Sequence, residues 1–481
     1  MNLDHVAAAL YSDSATLPKS TDPFTITINN GFMPLHTPLT DLPSTFKPLM
    51  DLLNDMPVTK QDGSAGLLAD YKLGHVVDVE RVLPDLTSEI DALREHDGKP
   101  DLSAVTAAFR DYSFLASAYL LEPCWEKWNK DRDGYGLGRQ ILPRAIAGPL
   151  VKCGDLLNIP PFMSYAAAYS LYNYRFEDRS IGTQQYSNLR LIRAFEHGLD
   201  PSSSEAGFIL THVDMVKNSP NLIKGAADIL TTLSATPNPR HVDRDIINES
   251  FNSLLTTMTQ IEASMENMWT QSRPKDYISY RTFIFGITNQ SMFPDGVVYE
   301  GINNDEPLSF RGESGANDSM IPLLDALLQI PMPDNPLTKH LVEFRSYRPK
   351  PHREFLAWVR EMADAAGVRN FCEGDPETAV LYLRLLNNVR SFRWRHWLFA
   401  REYIIRRSSH PTATGGSPIV TWLPNQLFAV MDLMMVVWSG VDEGYKKNEA
   451  QPFVKEMMGQ VEEQRVKLGR EVERWCQERG V

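Results

Sequence analysis

The stretch that most constrains this chain is Leu385–Ile405, LLNNVRSFRWRHWLFAREYII. Taking every third or fourth position gives Leu385, Val389, Phe392, His396, Phe399 or Ala400 and Tyr403, which is one face of a helix. Arg390, Arg395, Arg401, Glu402 and Arg406 fall mostly on the other faces. Within the apolar face His396 stands alone, and a neutral imidazole there needs a hydrogen-bond partner or a metal for its ring nitrogens. Arg393, one turn earlier on a neighbouring face, sets a cation beside it. Periodicity by itself leaves two readings of His396 open: a satisfied core histidine or a ligand.

The rest of the chain must supply a large core around that helix. With 481 residues, 43% hydrophobic and 23% charged, there is material for two or three globular domains. A formal net charge of -13 with no basic run argues against nucleic acid or an anionic membrane as the main partner, since both need clustered Lys and Arg. Cys124, Cys153, Cys372 and Cys476 are scattered, with no CxxC pair and no CxxCH motif, which suits a cytoplasmic protein with reduced thiols. The N-terminus has no basic region ahead of its short apolar run, so no secretory signal is expected. Leu427–Trp438 is too short for a membrane span and contains Asp432, so it reads as a core helix.

Along the chain, residues 1–45 look like an extended arm with a turn-rich segment, GFMPLHTPLTDLP. A small-residue helix is expected at 104–121, and another over Ile159–Tyr174, where a Pro pair suits a helix start. The polar break Gly198–Glu205 divides a small, mostly helical N-terminal domain (1–198) from a large all-helical domain (199–445), followed by a C-terminal amphipathic helix extension (446–481). Ser202 and Glu205 have capping-box spacing for the helix that follows. Ile247, Phe251, Leu254, Met258, Ile261, Met265 and Met268 alternate spacings of four and three, the stripe of a long core helix. Pro274 restarts a helix that Gly286 is placed to end. The region 294–319 is too rich in Gly and Asn for regular structure, and an irregular stretch of that length in a helical domain is usually functional. Further helices are expected at 320–329, 352–362, 425–438 and 454–475, with a flexible stretch at 408–418.

GxGxxG after a strand, the P-loop, GxSxG, HExxH and paired CxxC are all absent. What remains is polar residues placed on apolar faces. His212 shares a face with Phe208. Arg281 lies four residues after Tyr277 in an otherwise apolar helix, where a guanidinium needs an anion, either an internal carboxylate or that of a substrate. Two glycine loops, GESGA and TGGS, permit close backbone approach to a flat ligand.

Taken together, the motifs resemble the haem-dependent indoleamine 2,3-dioxygenase family, in its fungal form. The likeness runs from about Gly31 to about Asp432. It rests on LPRAIAGP (142–149), PPFMSYAAAYSLYNY (160–174), GFILTH (207–212), PDGVVYEG (294–301), FRGESGANDS (310–319), HREFL (352–356), RSFRWRH with YI (390–404) and TGGS (414–417). The resemblance implies a mainly α fold in which a b-type haem lies between a small N-terminal and a large C-terminal domain. It implies His396 as proximal iron ligand, Arg393 as partner of a propionate and Asp325 as support for the imidazole. It also places Ser314 and Gly315 over the haem face, Tyr165, Phe208 and Tyr277 in the pocket wall, and Arg281 on the substrate carboxylate. Thr414, Gly415 and Gly416 would form a closing loop. Two departures stand out: His212 where mammalian members have Ser, and Glu313 and Asp318 in the GESGANDS loop where the family has Gly and Ser.

The activity so implied is insertion of O2 across the indole C2–C3 bond of L-tryptophan or a related indole, giving N-formylkynurenine. In it His212 either donates to bound oxygen or accepts from the indole N–H. The alternatives are a related haem enzyme acting on a modified tryptophan, a non-catalytic haem sensor, and a helical scaffold without cofactor. The expected partner is a small indole, with no nucleic acid and no membrane, in a monomer or weak homo-oligomer.

Overall fold

The central element is a helix, Leu102–Asp131, that is buried on every side from Ala104 to Trp125. Small and apolar side chains all round let neighbours close on it from all directions. Asp101 caps its start, accepting from the Ala104 N–H at 3.0 Å. Its three buried charges are matched: Asp111 accepts from Arg110 Nε at 2.9 Å and from Arg193 Nε and Nη2, both at 2.9 Å, and Glu122 accepts from the Leu73 and Gly74 N–H groups and from Arg139 Nη2. The computed structural model describes residues 4–13, 16–18, 20–197, 199–235, 241–446 and 452–479. Gly198, at the expected domain boundary, lies outside the described residues, as do residues 447–451 of the expected extension.

The chain is mainly α. Among the described residues the strands form only two pairs: Ile141–Leu142 parallel to Val298–Tyr299, and Tyr174–Phe176 antiparallel to Leu189–Leu191. One hydrophobic cluster runs from Val6 to Leu468, so segments on either side of residue 198 share a core. No helix among the described residues is long and apolar enough to cross a membrane.

Several elements differ from the sequence expectation. Part of the expected arm is a helix, Asp4–Leu10. Ile159–Tyr174 forms only one wide π turn, Tyr165–Tyr169, capped by Ser164. Beyond that turn the Asn173 side chain donates to Tyr169 and Arg193 carbonyls and accepts from the Arg193 N–H, and this non-local pairing draws the chain into a strand. The next helix, Ser204–Val216, is capped by Ser203 and not by Ser202. Glu205 turns away from the cap to accept the Phe195 and Glu196 N–H groups at 2.9 Å each.

The Met-striped helix spans Arg244–Glu266, with Ile247, Phe251, Leu254, Met258 and Ile261 fully buried. Against it lies the His396 helix, Pro376–Phe399, started by Asp375, which accepts from Thr378 N at 3.0 Å. It passes at its end into a π turn, Ala400–Ile405, which begins one helical turn after His396. The apolar helix Trp422–Gly440 packs on its other side.

The C-terminal helix, Pro452–Arg479, packs on the body of the same chain. Glu471 accepts from Trp397 Nε1 at 2.9 Å and from Arg401 Nη1 at 3.0 Å, which braces the back of the His396 helix. Arg479 donates to the Ile405 and Ser408 carbonyls at 2.8 and 2.6 Å.

Candidate active site

His396 lies at the junction of two cavities of about 400 and 140 Å³. Both are lined by His396, Phe392, Gly315, Asp318, Trp422 and Leu423. Burial, then His212 and Arg393, push the His396 imidazole down to about 4, so it is neutral at pH 7. Among the described residues no hydrogen bond reaches its ring nitrogens. His352 is the contrasting case, a core histidine 1% exposed whose Nδ1 pairs with Ser319 Oγ at 3.0 Å. His352 Nε2 is itself buried without a partner, so even that core histidine is only half satisfied; His396, with neither ring nitrogen bonded among the described residues, does not fit the first reading open to it from sequence.

The larger cavity is cationic. Arg345, Arg348, Arg353, Arg360 and Arg393 line it, against only two carboxyl groups, Asp318 and Asp325. Arg393 Nη2 donates to both Asp325 oxygens at 2.9 and 2.7 Å. Asp325 thus meets Arg393 and makes no hydrogen bond to His396. Burial raises its carboxyl above the ordinary range while Arg393 opposes that. Arg353 Nε, Trp422 Nε1 and Gln426 Nε2 are buried N–H donors without acceptors in this lining. Surplus cations and unfilled donors fit an anionic group.

The smaller cavity is aromatic and carries His212, Tyr165, Phe208 and Tyr277. His212 Nδ1 lies 2.8 Å from the Phe208 carbonyl, which can only accept, so Nδ1 carries the proton and Nε2 an open lone pair. Burial lowers its pKa and keeps it neutral. The ring packs against Phe208 at 4.9 Å and Tyr165 at 5.7 Å between centroids, and Phe208 meets Tyr277 at 5.1 Å. A Cβ built on Gly315 would lie 3.8 Å from His212 Nε2, with nothing nearer, so Gly315 leaves this face open.

The two glycine loops approach each other instead of only a ligand. Thr414 Oγ1 donates to the Glu313 carbonyl at 2.6 Å, Arg311 Nη1 to the Gly415 carbonyl at 2.7 Å, and Gly286 N to the Thr414 carbonyl at 2.9 Å. The helix that begins at Pro274 passes at Arg281 into a 3-10 turn, Thr282–Ile284, and Gly286 follows the end of that run. It is needed because a Cβ there would lie 2.0 Å from the Gly312 nitrogen. Gly416 adopts φ +79°, in the left-handed region. Ser314 is spent on a local cap, its Oγ accepting from Ala316 N at 3.2 Å.

Arg281 is not in either lining. It is fully buried, donates from Nη2 to the Thr412 carbonyl at 3.0 Å and stacks 4.5 Å from the Phe285 ring, leaving Nε and Nη1 without partners. The residues that sequence reasoning missed are Arg345, Arg348, Arg353 and Arg360. Their signal was readable: RSYRPKPHR at 345–353 is locally basic, and Arg353, Leu356, Ala357 and Arg360 have the spacing of one helix face.

A family model for indoleamine 2,3-dioxygenase matches residues 20–448. The chain is 26% identical over 390 residues to indoleamine 2,3-dioxygenase 1 of Rattus norvegicus, covering 80% of this chain and 84% of the rat protein. It is 25% identical over 416 residues to the indoleamine 2,3-dioxygenase of Saccharomyces cerevisiae, covering 82% and 83%. To a 6-hydroxytryptophan 2,3-dioxygenase of Fusarium equiseti it is 25% identical over 387 residues, covering 79% and 84%. With the family model spanning most of its length, the chain belongs to the indoleamine 2,3-dioxygenase family.

Proposed function

We propose that this chain is a haem-dependent dioxygenase that inserts both atoms of O2 across the C2–C3 bond of an indole, with L-tryptophan giving N-formylkynurenine. The observation that carries this is the unpartnered, neutral imidazole of His396 where a cationic and an aromatic cavity meet. A b-type haem bound there would supply the iron that activates O2. His396 would provide its one protein ligand, and Arg345, Arg348 and Arg360 would hold its propionates. Arg393, fixed by Asp325, supports the His396 side as an ion pair.

The chain's own contribution is orientation and exclusion of water. Because His212 Nδ1 is committed to the Phe208 carbonyl, Nε2 accepts from the indole N–H and fixes the ring against the Tyr165 and Phe208 walls. The Thr414–Gly416 segment, docked on the Glu313 carbonyl, closes that side. Arg281, one helical turn after the wall residue Tyr277, lines neither cavity as it stands and would reach the substrate carboxylate with its free Nε and Nη1 only on a shift of the Thr412 segment that its Nη2 holds. Relatives named for indoleamine and for 6-hydroxytryptophan are about equally similar to this chain, so the choice among indoles falls to the distal lining.

The test is an absorption spectrum of the purified protein, reduced and with CO, before and after L-tryptophan, together with product analysis. A Soret band, a substrate-induced shift, N-formylkynurenine and loss of all three in His396→Ala are expected. A protein with no Soret band, or one that binds haem without substrate-dependent O2 consumption, overturns the proposal.

A further inference from the structure

The distal cavity contains a carboxyl group that the reaction so far does not use. Glu313 lines it and is 3% exposed. Neither side-chain oxygen makes a hydrogen bond among the described residues, and Oε1 is fully enclosed without a partner. No Lys or Arg lines this cavity. Its other carboxyl, Asp318, is better supplied: Oδ1 accepts from the Met320 N–H at 2.8 Å and Arg348 lies close enough to act on it. Tyr165 and Tyr277 line the cavity with Glu313, and neither is a cation. A buried carboxyl without donor or counter-ion is costly, and such a group persists where a ligand supplies what is missing.

The geometry points to a ligand cation: we propose that Glu313 is the ion-pair partner of the substrate's side-chain ammonium and makes the site selective for indoles that carry a protonated amine. This rests on the indole-dioxygenase reading above. Two placements make the pairing chemically sensible. His212 Nε2 and the aromatic walls receive the indole ring in the same cavity that Glu313 lines. Tyr277 lines the cavity with Glu313 and lies one helical turn before Arg281 on the same helix. An α-amino acid, whose ammonium and carboxylate leave a single carbon, can meet both. Burial alone raises the free Glu313 carboxyl to about 8, so an incoming ammonium also settles its charge.

The test is equilibrium binding by calorimetry, on the haem-loaded protein kept ferric so that no turnover occurs, with three probes. L-tryptophan carries amine and carboxylate, tryptamine the amine alone, and indole-3-propionate the carboxylate alone. In Glu313→Gln, affinity for L-tryptophan and tryptamine should fall about 10- to 100-fold, the size of a lost charge-assisted hydrogen bond, while indole-3-propionate binds unchanged or more tightly. Glu313→Asp, which keeps the charge, should retain the order of the three probes. Equal losses for all three probes would overturn the proposal and make Glu313 a general wall residue. Loss for L-tryptophan and indole-3-propionate with tryptamine unaffected would overturn it in favour of a contact to the carboxylate. Because binding is read without turnover, a failure of dioxygenase activity would leave this outcome readable on its own.

Discussion

Replacing Gly286 by Ala should destabilise the site's roof and the protein together. The added Cβ would lie 2.0 Å from the Gly312 nitrogen, 2.6 Å from the Arg311 carbonyl carbon and 2.8 Å from the Gly312 Cα, all backbone atoms that no rotamer change can move. Ordinary contact begins at 3.4 Å, so the two backbones must part by roughly 1.4 Å. At that separation the Gly286 N–H to Thr414 carbonyl bond and the Ile287 N–H to Phe310 carbonyl bond, now 2.9 and 2.7 Å, are lost. Two backbone bonds at about 1 kcal/mol each, plus overpacking of ~1–3 kcal/mol, give a cost of about 3–5 kcal/mol. Urea unfolding followed by tryptophan fluorescence measures it, with L-tryptophan binding as the site readout. Gly459→Ala is the control: a Cβ there meets nothing within 4 Å, and the helix should gain about 0.5–1 kcal/mol. If Gly286→Ala unfolds within about 0.5 kcal/mol of wild type and binds substrate normally, the docking of the two glycine loops is not what holds the site closed.

Other outcomes follow from the same geometry. His212→Ser should lower kcat/KM for L-tryptophan about 10-fold or more, and should matter much less for an N1-methylated indole that has no N–H to offer. Arg393→Met strips Asp325 of its ion-pair partner and should cost ~2–4 kcal/mol near neutral pH by thermal unfolding. The Asp325 carboxyl is already raised and rises further without Arg393, so the deficit should shrink on acidification and grow as pH climbs through the folded pKa. Glu205, raised by burial from 4.5 to about 8, favours the folded state fully below about pH 4.5 and loses that contribution as pH rises through 8; Glu205→Gln should flatten the decline. Glu471→Ala leaves Trp397 Nε1 without its acceptor and frees Arg401, and should lower stability by about 1–3 kcal/mol without altering the product.

Much of the fold could be read from local pattern because helices write their packing into a three-to-four-residue period. The Met-striped helix and the His396 helix lie where their apolar stripes put them. Pattern failed where a distant segment outbid the local preference: Asn173 bonds to Arg193, and Glu205 leaves its capping position for the 195–196 backbone. The candidate site was legible residue by residue but not in its pairings. Arg393 and Asp325 could each be named, yet their bond to one another depends on helices 68 residues apart in sequence. Likewise Glu313 could be named from its glycine loop as a departure in the pocket, yet that it lacks a donor and a cation depends on the cavity that surrounds it.

The amino-acid sequence alone determined that the chain is helical and that one histidine interrupts the apolar face of its organising helix. Its ordered motifs, together with that histidine, carried the family resemblance. Only the tertiary structure decided which imidazole is left without a partner, which guanidinium groups converge on one cavity, and that Glu313 and not Arg281 lines the other. The reason is physical: periodicity is a property of neighbours along the chain, whereas burial, hydrogen-bond satisfaction and charge balance belong to residues that meet only when the chain is folded.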